Sequence, residues 1–211
     1  MSVESFKVVL VGESGVGKTS IITQFIDETF QEDQQSTTGG TFSTKSVICD
    51  GGRILKFEIW DTAGQERYRS LTKMFYKDAN AAILVYDITR KDSFEELKNY
   101  WAEQIKESTA QGIILVIAAN KSDLFEHEAI EESVAREFAQ QLGAIYIATS
   151  AKNSSGINNL FEEIAKKYTG SSTIQIKKEE EGENVAEEGK KDVVKITNQD
   201  QEKPKKKGGF C

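Results

Sequence analysis

The stretch that most constrains this chain is Gly12-Glu13-Ser14-Gly15-Val16-Gly17-Lys18-Thr19, together with its flanks. Phe6–Val11 before it reads as a buried strand, and Ser20–Ile26 after it has helical periodicity. Glycines at this spacing let the backbone curl, so that several N–H groups point at one anion. The following helix adds its positive N-terminal end. The run fits G-x-x-x-x-G-K-[ST], the phosphate-cradling loop. In that pattern the segment Ser14, Gly15, Val16, Gly17, Lys18, Thr19 and Ser20 surrounds the phosphates. Lys18 carries a full charge to the β- and γ-phosphates, and Thr19 offers a hydroxyl to Mg²⁺. A glycine-rich turn with an incidental lysine is the bland alternative, and the strand before and helix after disfavour it.

Apolar runs and amphipathic stretches alternate along the next 150 or so residues. After the first strand and helix comes a polar stretch, Gln31 to Gly40. Strands are expected at Thr41–Cys49 and Ile54–Trp60, joined by Asp50-Gly51-Gly52, an Asp-Gly hairpin signal. Further strands are expected at Ala81–Tyr86, Ile113–Ala118 and Ala144–Ala148, and helices at Ser93–Lys106, Ile130–Leu142 and Ile157–Tyr168. This order predicts a single α/β domain over residues 1–170. Its sheet is mostly parallel, six-stranded, with one antiparallel edge strand and helices on both faces. Ligands in such sheets bind beyond the carboxyl ends of the strands, where the glycine-rich loop lies.

Three more tetrapeptides fall at strand carboxyl ends. Asp61-Thr62-Ala63-Gly64 follows the third strand. Asp61 suits a Mg²⁺ held directly or through water, Gly64 lets its N–H approach a γ-phosphate, and Gln65 can orient a water for in-line attack. With Lys18, Gln65 is the candidate catalytic residue. Asn120-Lys121-Ser122-Asp123 follows the fifth strand. The Asp123 carboxylate can accept two hydrogen bonds from guanine, where adenine presents no matching donors. Thr149-Ser150-Ala151-Lys152 ends the last strand, with backbone N–H groups placed for the guanine O6. Each tetrapeptide alone reads as an ordinary turn; four in order do not. An ATP-dependent kinase or motor fails on Asn120 and Asp123. The reading is a GTP-binding and GTP-hydrolysing switch. The alternative is a nucleotide-binding scaffold of the same fold that no longer cycles.

These motifs resemble the signature of Ras-like small GTPases over residues 6 to about 168. Lys56–Tyr68, Leu84–Thr89 and Asn99-Tyr100-Trp101 resemble segments of Rabs, with a lean towards endosomal members. The resemblance implies that Phe30 packs on guanine and that Thr37 binds Mg²⁺ and meets the γ-phosphate. It also implies a role in vesicle trafficking, an exchange factor, an activating protein, effectors, and prenylation escort and extraction proteins. Thr38, Gly40 and Thr41 depart from the usual Rab pattern on the effector surface. No arginine finger is matched in cis, so the resemblance implies slow hydrolysis accelerated in trans.

The formal net charge of −7 argues against a general nucleic-acid binder, and no apolar run is long enough to span a membrane. The first five residues lack the order of a secretory signal. The two cysteines, Cys49 and Cys211, give no disulfide framework, and His127 has no partners for a zinc site. From Ser171 onward the composition changes: nine lysines balance nine acids, Glu179–Glu188 is acidic and Lys203–Lys207 basic. A disordered tail over 171–211 is therefore expected. Cys211 after the lysines reads as a lipid acceptor, which would place a monomeric protein on the cytoplasmic face of an endomembrane.

Overall fold

A computed structural model describes residues 3–34, 36–37, 40–62, 75–108, 112–176 and 193–194. Strand β1 (Val3–Val11) leads through the glycine-rich loop into helix α1 (Lys18–Asp27). Strands β2 (Gly40–Cys49) and β3 (Arg53–Asp61) form an antiparallel hairpin across the turn Asp50–Gly52. Strand β4 (Ala81–Asp87) is followed by helix α2, which starts as Lys91–Glu96, widens into a π-turn at Leu97–Trp101 and ends as Ala102–Ser108. Then come β5 (Ile114–Asn120), α3 (Glu132–Leu142), β6 (Ile145–Ala148) and α4 (Ile157–Thr169). Two further strands, β7 (Ile174–Ile176) and β8 (Val193–Val194), lie in the region expected to be a tail.

The sheet order is β6-β5-β4-β1-β3-β2-β7, with β8 also on β2. β1 pairs in parallel with β3 on one side and β4 on the other. The chain therefore reverses its direction of growth at β1, which opens a crevice beyond that strand's carboxyl end. Every residue of β4 is buried, as expected of a strand covered by helices on both faces. On one face Phe25 of α1 stacks on Phe161 of α4 at 3.6 Å and meets Phe57 of β3 edge-on. On the other, Phe94, Leu97 and Trp101 of α2 pack with Ala135 and Ala139 of α3. Lys45 is buried and donates from Nζ to the Phe25 carbonyl at 2.5 Å, satisfying an end-of-helix acceptor of α1.

Two expectations need correction. Among the described residues the sheet has eight strands instead of six, and two of them lie beyond Ser171. β7 pairs antiparallel with Val47–Cys49 of β2. Ile174 and Ile176 pack against the α1/α4 core, while Asp50 accepts the Ser172 and Thr173 backbone N–H groups at 2.6 and 3.2 Å. Alternating isoleucines on a free sheet edge outweigh the polar composition around them. β8 pairs with Gly40 and Thr41. Cys211 lies outside the described residues.

Candidate functional site

The loop between β1 and α1 forms one wall of a cavity of about 330 Å³. Ser14, Gly15, Gly17, Lys18, Thr19 and Ser20 line it, joined by Phe30 and Thr37 on one side and by Asn120, Lys121, Asp123, Ala151 and Lys152 on the other. Four segments far apart in sequence thus meet at the carboxyl ends of β1, β5 and β6. Val16 and Ser150 do not line the cavity; both are buried behind it. Gly64 and Gln65 lie outside the described residues, as does Thr38.

Two glycines in the loop leave no room for a side chain. Gly12 has φ +144°, and an added Cβ would sit 2.2 Å from the Val85 carbonyl oxygen. Gly17 has φ +95°, and its Cβ would sit 2.4 Å from the Asn120 amide nitrogen. Asn120 is buried and works as a strut. Its Nδ2 donates to the Val16 carbonyl at 2.8 Å, and its Oδ1 accepts from the Thr149 hydroxyl at 3.2 Å. One side chain ties the glycine-rich loop, the end of β5 and the end of β6 together.

Lys18 is 6% exposed. Its Nζ donates to the carbonyls of Gly12 at 2.8 Å and Glu13 at 2.9 Å. Burial lowers its pKa to about 8, against the opposing pull of Asp61 and Glu13. A cation held this dry is an anion acceptor in waiting, because a phosphate would restore the lost charge compensation. Beside it, Thr19 Oγ1 donates to Asp61 Oδ2 at 2.5 Å and lies 2.7 Å from Thr37 Oγ1. Asp61 is buried; desolvation raises its pKa, opposed by the Thr19 hydrogen bond and the Lys18 charge. Among the described residues, its Oδ1 has no hydrogen-bond partner. An orphaned carboxylate oxygen beside two hydroxyls fits a hard divalent cation that takes its remaining ligands from phosphate and water.

At the other end, Ser150 Oγ donates to Asp123 Oδ1 at 2.6 Å and so orients that carboxylate from behind. Lys121 adopts φ +65°, and its Nζ lies 2.6 Å from Oδ2 of the fully buried Asp87. Asp87 also accepts the Thr89 N–H and hydroxyl at 2.9 and 2.7 Å. Lys152 pairs with Glu32 at 2.9 Å, and Ser20 donates to Gln34 at 2.9 Å, so both contacts hold the segment after α1 across the cavity mouth. Phe30 is 36% exposed at that mouth. Sequence reasoning assigned no role to Asp87, Glu32 or Gln34. A polar residue closing a buried strand, as Asp87 does, is the one signal that was there to read.

Compared with known proteins, residues 7–170 match the Ras family. The chain belongs to that family, in its Rab branch. It is 44% identical over 166 residues to Ras-related protein Rab-31 of Mus musculus, covering 79% of this chain and 84% of the relative. The Homo sapiens and Rattus norvegicus proteins of that name are 44% and 43% identical over the same span. This Rab-type protein is thus a GTPase, a GTP-binding switch in membrane trafficking. Its kind works with guanine nucleotide, exchange factors, activating proteins and effectors at endomembranes. No helix among the described residues is long and apolar enough to cross a membrane.

Proposed function

We propose that the cavity between the glycine-rich loop and Asn120–Asp123 holds GTP, with its triphosphate on Ser14–Ser20 and its base against Phe30, Asn120, Lys121, Asp123, Ser150, Ala151 and Lys152. All of these but the buried Val16 and Ser150 line one cavity, and that convergence carries the reading. Asp123, fixed by Ser150, accepts from the guanine edge, and Lys18 turns from the loop carbonyls to the phosphates. Thr19, Thr37 and Asp61 would hold Mg²⁺, which when bound offsets charge on the phosphate oxygens. The orphaned Asp61 Oδ1 supports that assignment. Gln65 orients the attacking water, and the Thr37 and Gly64 N–H groups hold both switch segments to the γ-phosphate until hydrolysis removes it.

Hydrolysis on this reading is slow alone and fast with an activating protein. Prenylation of Cys211, aided by Lys203–Lys207, holds the protein on the cytoplasmic face of an endomembrane, a vesicle or an endosome, and prenylation escort and extraction proteins deliver and remove it. Single-turnover GTP hydrolysis, with and without Gln65→Leu, tests the catalytic part. An unchanged rate removes Gln65 from the mechanism. Intact mass of protein from its own cells tests the lipid, and an unmodified mass removes it.

A further inference from the structure

An anion cradle with an acid inside it is a contradiction in charge, and this loop contains Glu13. The structure resolves it with a residue from another strand. Arg90 follows β4, which neighbours β1 in the sheet, so the two carboxyl-end loops lie side by side. The Arg90 guanidinium pairs through Nη2 with Glu13 Oε2 and donates through Nη1 to the Ser14 carbonyl at 3.0 Å. Its own position is set by Asp92, which accepts from Nη2 at 3.0 Å and from Nε at 3.4 Å. Both Arg90 and Glu13 side chains are about two-thirds covered, at 33% and 31% exposure.

The Ser14 contact has a geometric consequence. The peptide unit is planar and trans, so its C=O and the next N–H point in opposite directions. Holding the Ser14 carbonyl out towards Arg90 turns the Gly15 N–H the other way, and Gly15 lines the cavity. The same guanidinium thus cancels the one acidic side chain of the loop and turns a backbone donor inward.

We propose that Arg90 is a positioning residue for nucleotide retention, acting through Glu13 and the Ser14 peptide. The proposal rests on the loop being a phosphate cradle. Without Arg90 the Glu13 carboxylate repels the bound phosphates and the Ser14 peptide is free to turn. The test is release of fluorescent GDP from the full-length Mg²⁺-loaded protein, chased with excess unlabelled GDP. Losing a charge-assisted hydrogen bond and an ion pair about one-third exposed predicts release about tenfold faster in Arg90→Ala. Arg90→Lys keeps the charge but loses the fork, and falls between. Arg90→Ala combined with Glu13→Gln recovers most of the retention, because the uncompensated charge is gone. A merely structural arginine would show no such recovery. High salt narrows the gap between Arg90→Ala and the unmodified protein. Release from Arg90→Ala at the unmodified rate, or no recovery in the double variant, overturns the proposal. An unmodified protein that fails to retain GDP overturns the cradle reading itself, which keeps the two failures distinct.

Discussion

Asn120→Ala tests whether the nucleotide site is one unit or a set of independent turns. The substitution removes both strut bonds, leaving the Val16 carbonyl and the Thr149 hydroxyl without that partner in a buried place. Each orphaned buried group costs about 1–3 kcal/mol. The Thr149 hydroxyl can rotate, so its share lies at the low end, and about 3 kcal/mol is the expected total. For a domain of this size that lowers Tm by about 6–12 °C. Thr149→Val breaks only the longer bond and should cost about 1 kcal/mol, or 2–4 °C. The assay is thermal unfolding with GDP at the same multiple of each variant's own Kd, because bound ligand adds stability in proportion to ln(1 + [L]/Kd). Asn120→Ala melting no lower than Thr149→Val would refute the strut and leave Asn120 a ligand contact only.

Asp123→Ala should abolish the preference for GTP over ATP, a loss on the order of 10⁴ in selectivity, measured by competition of the two nucleotides. Asp87→Asn should destabilise by about 1–2 kcal/mol in chemical denaturation, less than for a fully buried pair because the Lys121 side chain is 35% exposed. Lys18 makes the nucleotide-free protein pH-dependent. Its folded pKa of about 8 lies below the ordinary lysine value of 10.5, so the unfolded chain binds the extra proton between these limits. Stability should therefore rise with pH across that window, by about 3 kcal/mol relative to Lys18→Met, and saturating GDP should remove the difference.

How much of this was legible in the sequence depended on distance along the chain. Gly12–Thr19 and Asn120–Asp123 carry their chemistry in contiguous residues, so spacing alone revealed both cavity walls. The hairpin at Asp50-Gly51-Gly52 was equally local, and it formed as expected. The strut and the Arg90 clamp were hidden because they depend on strand order. That β4, with β5 beyond it, lies on one side of β1 and β3 on the other cannot be read from periodicity. β7 was missed for another reason. Ile174 and Ile176 are too few to signal a strand, and only the waiting edge of β2 gives them a partner.

That edge bears on how the protein behaves in concentrated solution. Among the described residues, β7 covers Val47–Cys49 and β8 covers Gly40–Thr41, leaving 42–46 without a strand on that side. An open strand edge is a template for pairing with another molecule. The family match stops at residue 170, so a chain cut there to keep only the family-matched core would strip β7 away. Sedimentation should show such a shortened chain associating with itself as concentration rises, while one cut after Ile176 stays monomeric. Three residues of apparent tail would then act as a guard against self-assembly.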